Sequence, residues 1–205
     1  MTGSGKQHWE EVYATKPADT VSWFQPSPVP SLAALDRLGA RPDQSLIDIG
    51  GGASTLVDAL LDRGWSDLSV LDISEAALAV AKGRLGQKSE LVDWIVADIT
   101  SWSATRTYEI WHDRAVFHFL TDPDDRGAYK ERMIGALAPG GTVVMATFAL
   151  DGPERCSGLT VKRYDAKTLA TELGSAFEPI GDWEENHVTP MGNRQSFTWC
   201  LFRRV

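Results

Sequence analysis

The sequence has little cysteine, no excess of positive charge and no long apolar run, and each shortage excludes a class of protein. Its two cysteines, Cys156 and Cys200, are too few for a disulfide framework or a zinc cluster. The net charge is −8, from 20 basic and 28 acidic residues, which disfavours nucleic acid as a partner. No run approaches the roughly 20 apolar residues of a membrane span, and residues 1–7 lack the apolar core of a signal peptide. We therefore expect a cytoplasmic protein without a metal centre that binds neither nucleic acid nor membrane.

The chain does have enough apolar material for one domain with a sizeable core. Hydrophobic residues make up 43% of its 205 residues and charged residues 23%, as in an ordinary soluble enzyme. Eight tryptophans stand out, and most must lie in the core or line a pocket, because an indole is a large apolar surface. The sequence leaves a monomer and a homodimer both open.

From residue 44 onward, strand-like and helix-like segments alternate. The predicted strands begin at Leu46 and then cover 69–72, 94–97, 108–112, 142–148, about 177–183 and about 195–202. The predicted helices cover 55–63, 75–85, 113–120, 122–137 and 165–173. This alternation indicates an α/β fold with a parallel sheet between two layers of helices, and the two late strands indicate an antiparallel addition at one edge. The last strand alternates in a way that predicts one buried side.

Residues 1–43 are predicted to form an N-terminal helix and an aromatic cover segment, ahead of the main domain at 44–205. Helical spacing starts at 8–13, and four prolines between residues 17 and 30 favour a loop or extended segment. The aromatic residues of this part are Trp9, Tyr13, Trp23 and Phe24. We interpret them as a lid over a ligand site, with a leader packed on the sheet for stability as the alternative.

The most informative stretch is the glycine-rich turn after the first strand, Asp48-Ile49-Gly50-Gly51-Gly52. Glycines there let a ligand lie against bare backbone, where a Cβ would collide. The next strand ends in Asp72, 24 positions after Asp48, where a nucleoside ribose presents its two hydroxyls. The helix after the turn is expected to aim its amide groups at the ligand. Together these features predict a nucleoside cofactor.

Two other functions share this pattern. The first is a nicotinamide-dependent oxidoreductase, although the third glycine of its phosphate-binding turn is replaced by Thr55. Its Tyr-x-x-x-Lys pair is also missing, because the residues four positions after Tyr129 and Tyr164 are Met133 and Thr168 and not lysines. A non-catalytic module would bind the cofactor as a signal, without turnover. Both stay open as alternatives to an enzyme of another class.

The order of these features resembles the class I S-adenosylmethionine-dependent methyltransferases. Four motifs carry the resemblance: the acid and glycines at 48–52, Asp72, Asp98 after the third strand, and Pro139-Gly140-Gly141 before the fifth strand. The resemblance implies a single Rossmann-like α/β domain, with a mostly parallel seven-stranded sheet, an antiparallel C-terminal strand and helices on both faces. It also implies S-adenosyl-L-methionine as cofactor and S-adenosyl-L-homocysteine as product.

Carried over residue by residue, the resemblance implies an ammonium contact at Asp48, a ribose contact at Asp72 and an adenine contact at Asp98. With the lid and the neighbouring positions included, the predicted cofactor-binding residues are Trp9, Trp23, Asp48, Gly50, Gly52, Asp72, Ile73, Asp98, Ile99 and Arg114.

A finer resemblance lies at Asp113-Arg114-Ala115. Thiol methyltransferases of the thiopurine type have a similar sequence after their fourth strand, whereas seven-strand lysine methyltransferases have Asp-Lys-Gly-Thr there. Arg114 and the missing Gly-Thr favour a small-molecule thiol acceptor, with a protein lysine as the alternative. Cys156, in a predicted loop after the fifth strand, borders the acceptor pocket on this interpretation, most simply as an inert thiol.

The catalytic candidates are Asp113, Arg114 and His118, just beyond the fourth strand, where open α/β sheets bind ligands. If 113–120 is helical, Arg114 and His118 share one face. His118 is then placed to accept a proton from the acceptor, since its usual pKa is near neutrality, or it is a structural residue between two phenylalanines. Arg114 is predicted to hold a carboxylate of cofactor or substrate, or else to pair with a neighbouring aspartate.

Overall fold

The structure, a computed structural model, describes residues 3–15 and 17–205. Its strands are β1 (Leu46–Ile49), β2 (Leu68–Asp72), β3 (Val92–Val96), β4 (Tyr108–Arg114), β5 (Leu137–Phe148), β6 (Arg155–Cys156), β7 (Leu159–Thr160), β8 (Phe177–Val188) and β9 (Arg194–Arg204). Its helices are α1 (Gly3–Thr15), α2 (Val29–Leu38), α3 (Leu56–Asp62), α4 (Glu75–Leu85), α5 (Pro123–Ala136) and α6 (Ala166–Leu173). None of the described helices combines the length and the apolarity needed to cross a membrane.

Seven strands form one sheet in the order β3-β2-β1-β4-β5-β9-β8, while β6 and β7 form a separate small hairpin. Strands β1 to β5 are parallel, and β9 is antiparallel to both of its neighbours. The predicted sheet, mostly parallel with an antiparallel C-terminal strand, is confirmed. Because β1 lies between β2 and β4, the strand order reverses at β1, and a crevice opens at the carboxyl ends of these strands.

The central strands are buried along their whole length because both faces of the sheet are covered. Leu46 belongs to the hydrophobic cluster on one face and Ile47 to the cluster on the other, and all four residues of β1 are buried. Strand β2 is likewise buried throughout. Burial on both faces fixes these strands firmly, so the residues at their carboxyl ends are held in defined positions.

Strand β9 differs from its prediction. The sequence pattern indicated one buried side, but Trp199 lies in one cluster and Cys200 in the other, so both sides are buried. Strand β9 lies inside the sheet between β5 and β8, and a hydrophobic cluster packs on each of its two faces. The Trp199 ring stacks on Trp183 of β8, with ring centroids 5.7 Å apart and an interplanar angle of 9°.

Helix starts agree with the predicted caps. Ser74 Oγ accepts a hydrogen bond from Ala77 N at the start of α4, at 3.1 Å. Asp165 Oδ1 accepts one from Thr168 N at the start of α6, at 2.7 Å. Each side chain satisfies a backbone N–H that has no partner within the helix.

The helix predicted over 113–120 is wrong. Strand β4 continues to Arg114, which pairs with Ala146 of β5. Ala115 then takes a left-handed conformation, with φ of 72°, and only Phe117–Phe119 form a single 3₁₀ turn. Strand pairing with β5 therefore prevents the helix that the spacing of apolar residues predicted. As a result, Arg114 and His118 do not share a helical face.

Candidate active site

The glycine-rich turn bends tightly against the end of β2. Gly50 and Gly52 have positive φ, 66° and 30°, which a side chain would strain. A Cβ at position 52 would lie 2.6 Å from Asp72 Oδ2. Gly50 N donates to Leu71 O at 2.7 Å, which ties the turn to the neighbouring strand. Bare backbone therefore faces the crevice at the switch in strand order.

Asp72 stands at the carboxyl end of β2, where it is buried. Its Oδ1 accepts a hydrogen bond from Ser74 N at 2.8 Å. Burial, together with the negative charges of Asp48 and Glu10, raises the pKa of Asp72 from 3.8 to about 7. This carboxyl is therefore poised to ionise when hydroxyl donors reach it.

A cavity opens over the ends of β1, β2, β3 and β4. Its wall is largely apolar, with few polar side chains. The lining residues are Trp9, Tyr13, Trp23, Ile49, Gly50, Leu71, Asp72, Ile73, Ala97, Ile99, Arg114, Ala115, Val116, Phe119 and Cys156. We call this the first cavity.

Aromatic rings from the N-terminal part close the first cavity. Trp9 of α1 makes edge-to-face contacts with Trp23 and Phe119, at centroid distances of 5.5 and 5.1 Å. Trp23 Nε1 donates to Tyr13 Oη at 3.2 Å. The three residues Trp9, Tyr13 and Trp23 therefore form one packed roof, which we call the aromatic roof.

Glu10 fastens α1 to the start of α4. Its carboxylate accepts hydrogen bonds from Glu75 N at 2.8 Å, from Ala76 N at 3.2 Å and from Ser74 Oγ at 3.1 Å. Burial opposes ionisation of Glu10, but the hydrogen bonds outweigh it and lower the pKa of this carboxyl. A negative charge is favourable at the N-terminus of a helix, so this contact holds the aromatic roof in place.

A second cavity lies beside the glycine-rich turn and is also lined by residues of the cover segment. It shares Tyr13, Trp23, Ile49, Gly50 and Arg114 with the first cavity, so the two adjoin. Its remaining lining residues are Ala18, Val21, Phe24, Gln25, Pro28, Ser31, Asp48, Gly51, Ala53, Ser54, Thr55 and His112.

Asp48 is held by a chain of hydrogen bonds in the second cavity. His112 Nδ1 donates to Asp48 Oδ1 at 2.7 Å, and His112 Nε2 shares a hydrogen bond with Ser31 Oγ at 3.0 Å. All three side chains are buried. One oxygen of Asp48 is thus committed to His112, which fixes the orientation of the carboxylate.

Arg114 lies where the two cavities meet. Its Nη1 donates to Trp23 O at 3.1 Å, and its guanidinium carbon lies 4.9 Å from the centroid of the Phe197 ring. Its Nε and Nη2 are buried and have no partner among the described residues. Burial lowers the pKa of Arg114 below its usual value.

Two of the three catalytic candidates point away from the cavities. Asp113 is fully buried and accepts hydrogen bonds from Tyr129 Oη at 2.5 Å and from Val116 N at 2.9 Å. Burial raises the pKa of Asp113 to about 6. His118 is also fully buried, and its Nδ1 accepts from Phe148 N at 3.3 Å. Burial and the nearby Arg114 cation lower the pKa of His118 to about 3. Both residues stabilise the turn after β4 rather than line a cavity.

Most of the predicted cofactor residues do lie together. Trp9, Trp23, Gly50, Asp72, Ile73, Ile99 and Arg114 line the first cavity, and Asp48 lines the second. Gly52 contacts Asp72 from behind the turn. Asp98 is half-buried beside the first cavity, and its Oδ1 accepts from Thr100 N at 2.9 Å.

Cys156 lies in strand β6, not in the loop that the sequence predicted. Its sulfur is buried in the wall of the first cavity. Burial raises the pKa of this thiol to about 11, which keeps it protonated near neutral pH.

Sequence reasoning missed Glu10 and Ser31. Glu10 is 64 positions from Ser74, and Ser31 is 81 positions from His112. Neither residue belongs to a recognisable sequence motif. They reach the site only because the N-terminal part of the chain packs on the main domain.

The strand order and the position of the cavities define the class I methyltransferase fold. Residues 46–141 match the family model described as a methyltransferase domain. The chain also superimposes on the 1,6-didemethyltoxoflavin-N1-methyltransferase of Burkholderia thailandensis, whose structure holds S-adenosylhomocysteine. The TM-score is 0.69 at 19% identity, covering 98% of this chain and 84% of that one.

Two curated proteins align with about half of the chain. Malonyl-[acyl-carrier protein] O-methyltransferase 1 of Ilyobacter polytropus is 26% identical over 111 residues, or 54% of this chain and 40% of that protein. Trans-aconitate 2-methyltransferase of Pseudomonas aeruginosa is 32% identical over 114 residues, or 55% of this chain and 38% of that protein. The chain thus spans less than half the length of these relatives. Residues 46–141 are therefore similar to the methyltransferase domain family, and the chain shares the fold of these enzymes.

Proposed function

We propose that this protein transfers the methyl group of S-adenosyl-L-methionine to a small-molecule acceptor, with a thiol favoured. The observation that carries the proposal is the first cavity. It joins bare backbone at Gly50, a buried carboxyl at Asp72 and the aromatic roof in one enclosure at the carboxyl ends of the strands.

The residues present fit the cofactor. Asp72 would accept hydrogen bonds from the ribose hydroxyls, because it lines the cavity and, among the described residues, accepts hydrogen bonds from the backbone N–H groups of Ile73 and Ser74. Apolar side chains of Ile73 and Ile99 provide a slot for the adenine ring. The methionine part would extend along the glycine-rich turn toward Asp48, whose negative charge suits an ammonium group.

When bound, the cofactor supplies a methyl group on a positively charged sulfur. Transfer of this methyl group needs the acceptor atom in line with the carbon–sulfur bond and within about 3 Å of the methyl carbon. The protein orients the two reactants and excludes water. Trp9 and Trp23 serve both needs, because their faces close the first cavity and tolerate a cation. Methyl transfer by this route therefore needs no covalent step on a protein side chain.

The type of acceptor is inferred from the lack of a general base among the described residues that line the first cavity. Among its described lining residues, Tyr13 and Cys156 have raised pKa values and Asp72 is assigned to the ribose. His118 lies outside the cavity with a depressed pKa. An acceptor that loses its own proton near neutral pH needs no protein base. Thiols and carboxylic acids do so more readily than alcohols or amines, and of these two the resemblance at residues 113–115 favours the thiol.

The enclosure supports a small acceptor over a lysine of a folded protein, because the aromatic roof covers the first cavity. The names of the two curated relatives give a malonyl group on a carrier protein and trans-aconitate as acceptors. Small acyl and acid groups therefore occur as acceptors among similar proteins.

A transfer assay tests the proposal. Purified protein is incubated with methyl-labelled cofactor and separate pools of small thiols, carboxylic acids, amines and lysine-containing peptides. We expect label in the thiol pool, and we expect His118→Ala, if it folds, to keep most of that activity. Label confined to the peptide pool would contradict the small-molecule acceptor, and no label in any pool would contradict methyl transfer.

A further inference from the structure

We propose that Arg114 binds a carboxylate at the junction of the two cavities. The inference deepens the proposed function, on which it rests, because the carboxylate belongs to the methyl donor or to the acceptor. It names a recognition element that the transfer chemistry itself does not require.

The guanidinium of Arg114 is held from two directions. Nη1 donates to the carbonyl oxygen of Trp23 at 3.1 Å, and the Phe197 ring packs against the guanidinium with its centroid 4.9 Å from Cζ. Because β4 ends at Arg114 within the ladder to β5, the backbone beneath the side chain is also fixed. The group is therefore preorganised before any ligand arrives.

The two remaining donor atoms are the informative ones. Nε and Nη2 of Arg114 are buried and have no hydrogen-bond partner among the described residues. These atoms lie on one edge of the planar guanidinium, and their N–H groups point in parallel. That edge matches the two oxygens of a carboxylate. A buried donor without a partner is unfavourable, so a ligand that pairs both donors gains affinity.

No described carboxylate of the protein takes this place. Glu185 contributes to the electrostatic surroundings of Arg114, but its Oε2 accepts from Trp199 Nε1 at 2.6 Å and its Oε1 from Gln25 Nε2 at 3.3 Å. Asp48 is bound to His112 at 2.7 Å. The nearest acids are thus committed to other donors.

The distribution of charge points to the same ligand. Among the described lining residues of both cavities, Arg114 is the single lysine or arginine. The acids that line them, Asp48 and Asp72, suit an ammonium group and ribose hydroxyls. An anionic group of a bound ligand therefore has one cation to meet.

Two sources carry the same chemistry: the methionine carboxylate of the cofactor and a carboxylate of the acceptor. Isothermal titration separates them with S-adenosylhomocysteine, which has the carboxylate, and 5′-methylthioadenosine, which lacks it. A second arm measures the shift in Tm that benzoate and its neutral isostere benzamide produce in protein saturated with S-adenosylhomocysteine. The variants are Arg114→Gln and Arg114→Lys, with Arg163→Gln as the control, since Arg163 pairs with Glu154 away from both cavities.

If the cofactor supplies the carboxylate, Arg114→Gln weakens S-adenosylhomocysteine about 10- to 100-fold and leaves 5′-methylthioadenosine unchanged. If the acceptor supplies it, both nucleosides bind as before, and the shift caused by benzoate but not benzamide disappears in Arg114→Gln. Arg114→Lys, which keeps the charge without the paired donors, is expected to recover part of either effect and covers the case of a misfolded glutamine variant.

Unchanged S-adenosylhomocysteine affinity together with equal shifts from benzoate and benzamide would overturn the carboxylate site while leaving the proposed function intact. Wild-type protein that binds neither nucleoside would overturn both.

Discussion

At the scale of single residues, Asp72 links the fold to the chemistry. Its place could be predicted from the sequence, because an acid at the end of an apolar strand, 24 positions after the acid of the glycine-rich turn, fixes its position in the sheet. Its raised pKa could not be predicted. That shift depends on burial and on Glu10, which comes from a distant helix.

The pKa of Asp72 makes cofactor binding dependent on pH. Near pH 6 the ligand-free Asp72 carboxyl is mostly protonated. Near pH 8 it is mostly ionised and can accept hydrogen bonds from both ribose hydroxyls. We therefore expect the affinity for S-adenosylhomocysteine to rise between pH 6 and pH 8, by up to about tenfold per pH unit below the pKa. Titration at several pH values measures this. Asp72→Asn is expected to bind more weakly and with a flat profile, and a steep profile in that variant would assign the dependence to another group.

The same shift predicts a gain in stability for Asp72→Asn. The folded-state pKa of about 7 lies above the unfolded value near 3.8, so the free energy of unfolding falls as pH rises between these values. Asparagine keeps an oxygen for Ser74 N but carries no buried charge. We expect the variant to have a higher Tm than the wild type at pH 8 and an equal Tm near pH 4. Equal Tm values at pH 8 would show that burial of this carboxylate is not destabilising.

At the scale of elements, strands were easier to predict than the turns between them. Central strands such as β1 and β2 are buried on both faces, and their predominantly apolar residues indicate this in the sequence. The stretch after β4 looks helical in sequence, but Asp113 accepts the Val116 and Phe117 amides and the β5 ladder extends to Arg114. Side-chain caps and ladder partners lie outside any local window, which is why the helix prediction failed there.

Helix α1 is expected to control how fast the cofactor leaves. Glu10→Gln removes the charge that accepts three hydrogen bonds at the start of α4. We predict faster dissociation of S-adenosylhomocysteine, by about 3- to 10-fold if the contact is worth roughly 1 kcal/mol, with faster hydrogen exchange in α1.

Glu11→Gln is the matched control, because Glu11 is the next residue in α1 and its side chain is exposed. Stopped-flow dissociation measures both variants. Equal rates in Glu10→Gln and Glu11→Gln would show that the contact to α4 does not hold the aromatic roof closed.

The Trp23→Ala variant tests whether the aromatic roof contributes to cofactor binding. Its ring packs on Trp9 and its Nε1 bonds Tyr13, so Trp23→Ala removes the centre of the enclosure. We expect the dissociation constant for S-adenosylhomocysteine to rise well before the variant loses its fold, as judged by circular dichroism. Unchanged affinity in a folded variant would assign these rings to packing alone.

At the scale of the whole molecule, the seven-stranded order places the site by topology. Residues far apart in sequence meet because β1 lies between β2 and β4, and the switch in strand order leaves room for a ligand there. The sequence predicts this architecture from the alternation of its segments. It does not predict how the N-terminal part lies over the crevice, since Glu10 and Ser31 act across more than 60 positions.

A ligand that binds the folded state selectively raises Tm with its concentration. We expect S-adenosylhomocysteine to raise Tm progressively and NAD to leave it unchanged, because the single Lys or Arg among the described lining residues offers little for a pyrophosphate. Differential scanning fluorimetry checks both ligands. A larger shift from NAD would favour an oxidoreductase instead.

The most direct test is calorimetric titration of the folded protein with S-adenosylhomocysteine at two temperatures, so that a vanishing enthalpy at one of them is not mistaken for no binding. We predict saturable binding of one molecule per chain, and weaker binding in the Asp72→Asn variant. Flat titrations at both temperatures, with the fold confirmed on the same sample, would contradict a cofactor site in the first cavity.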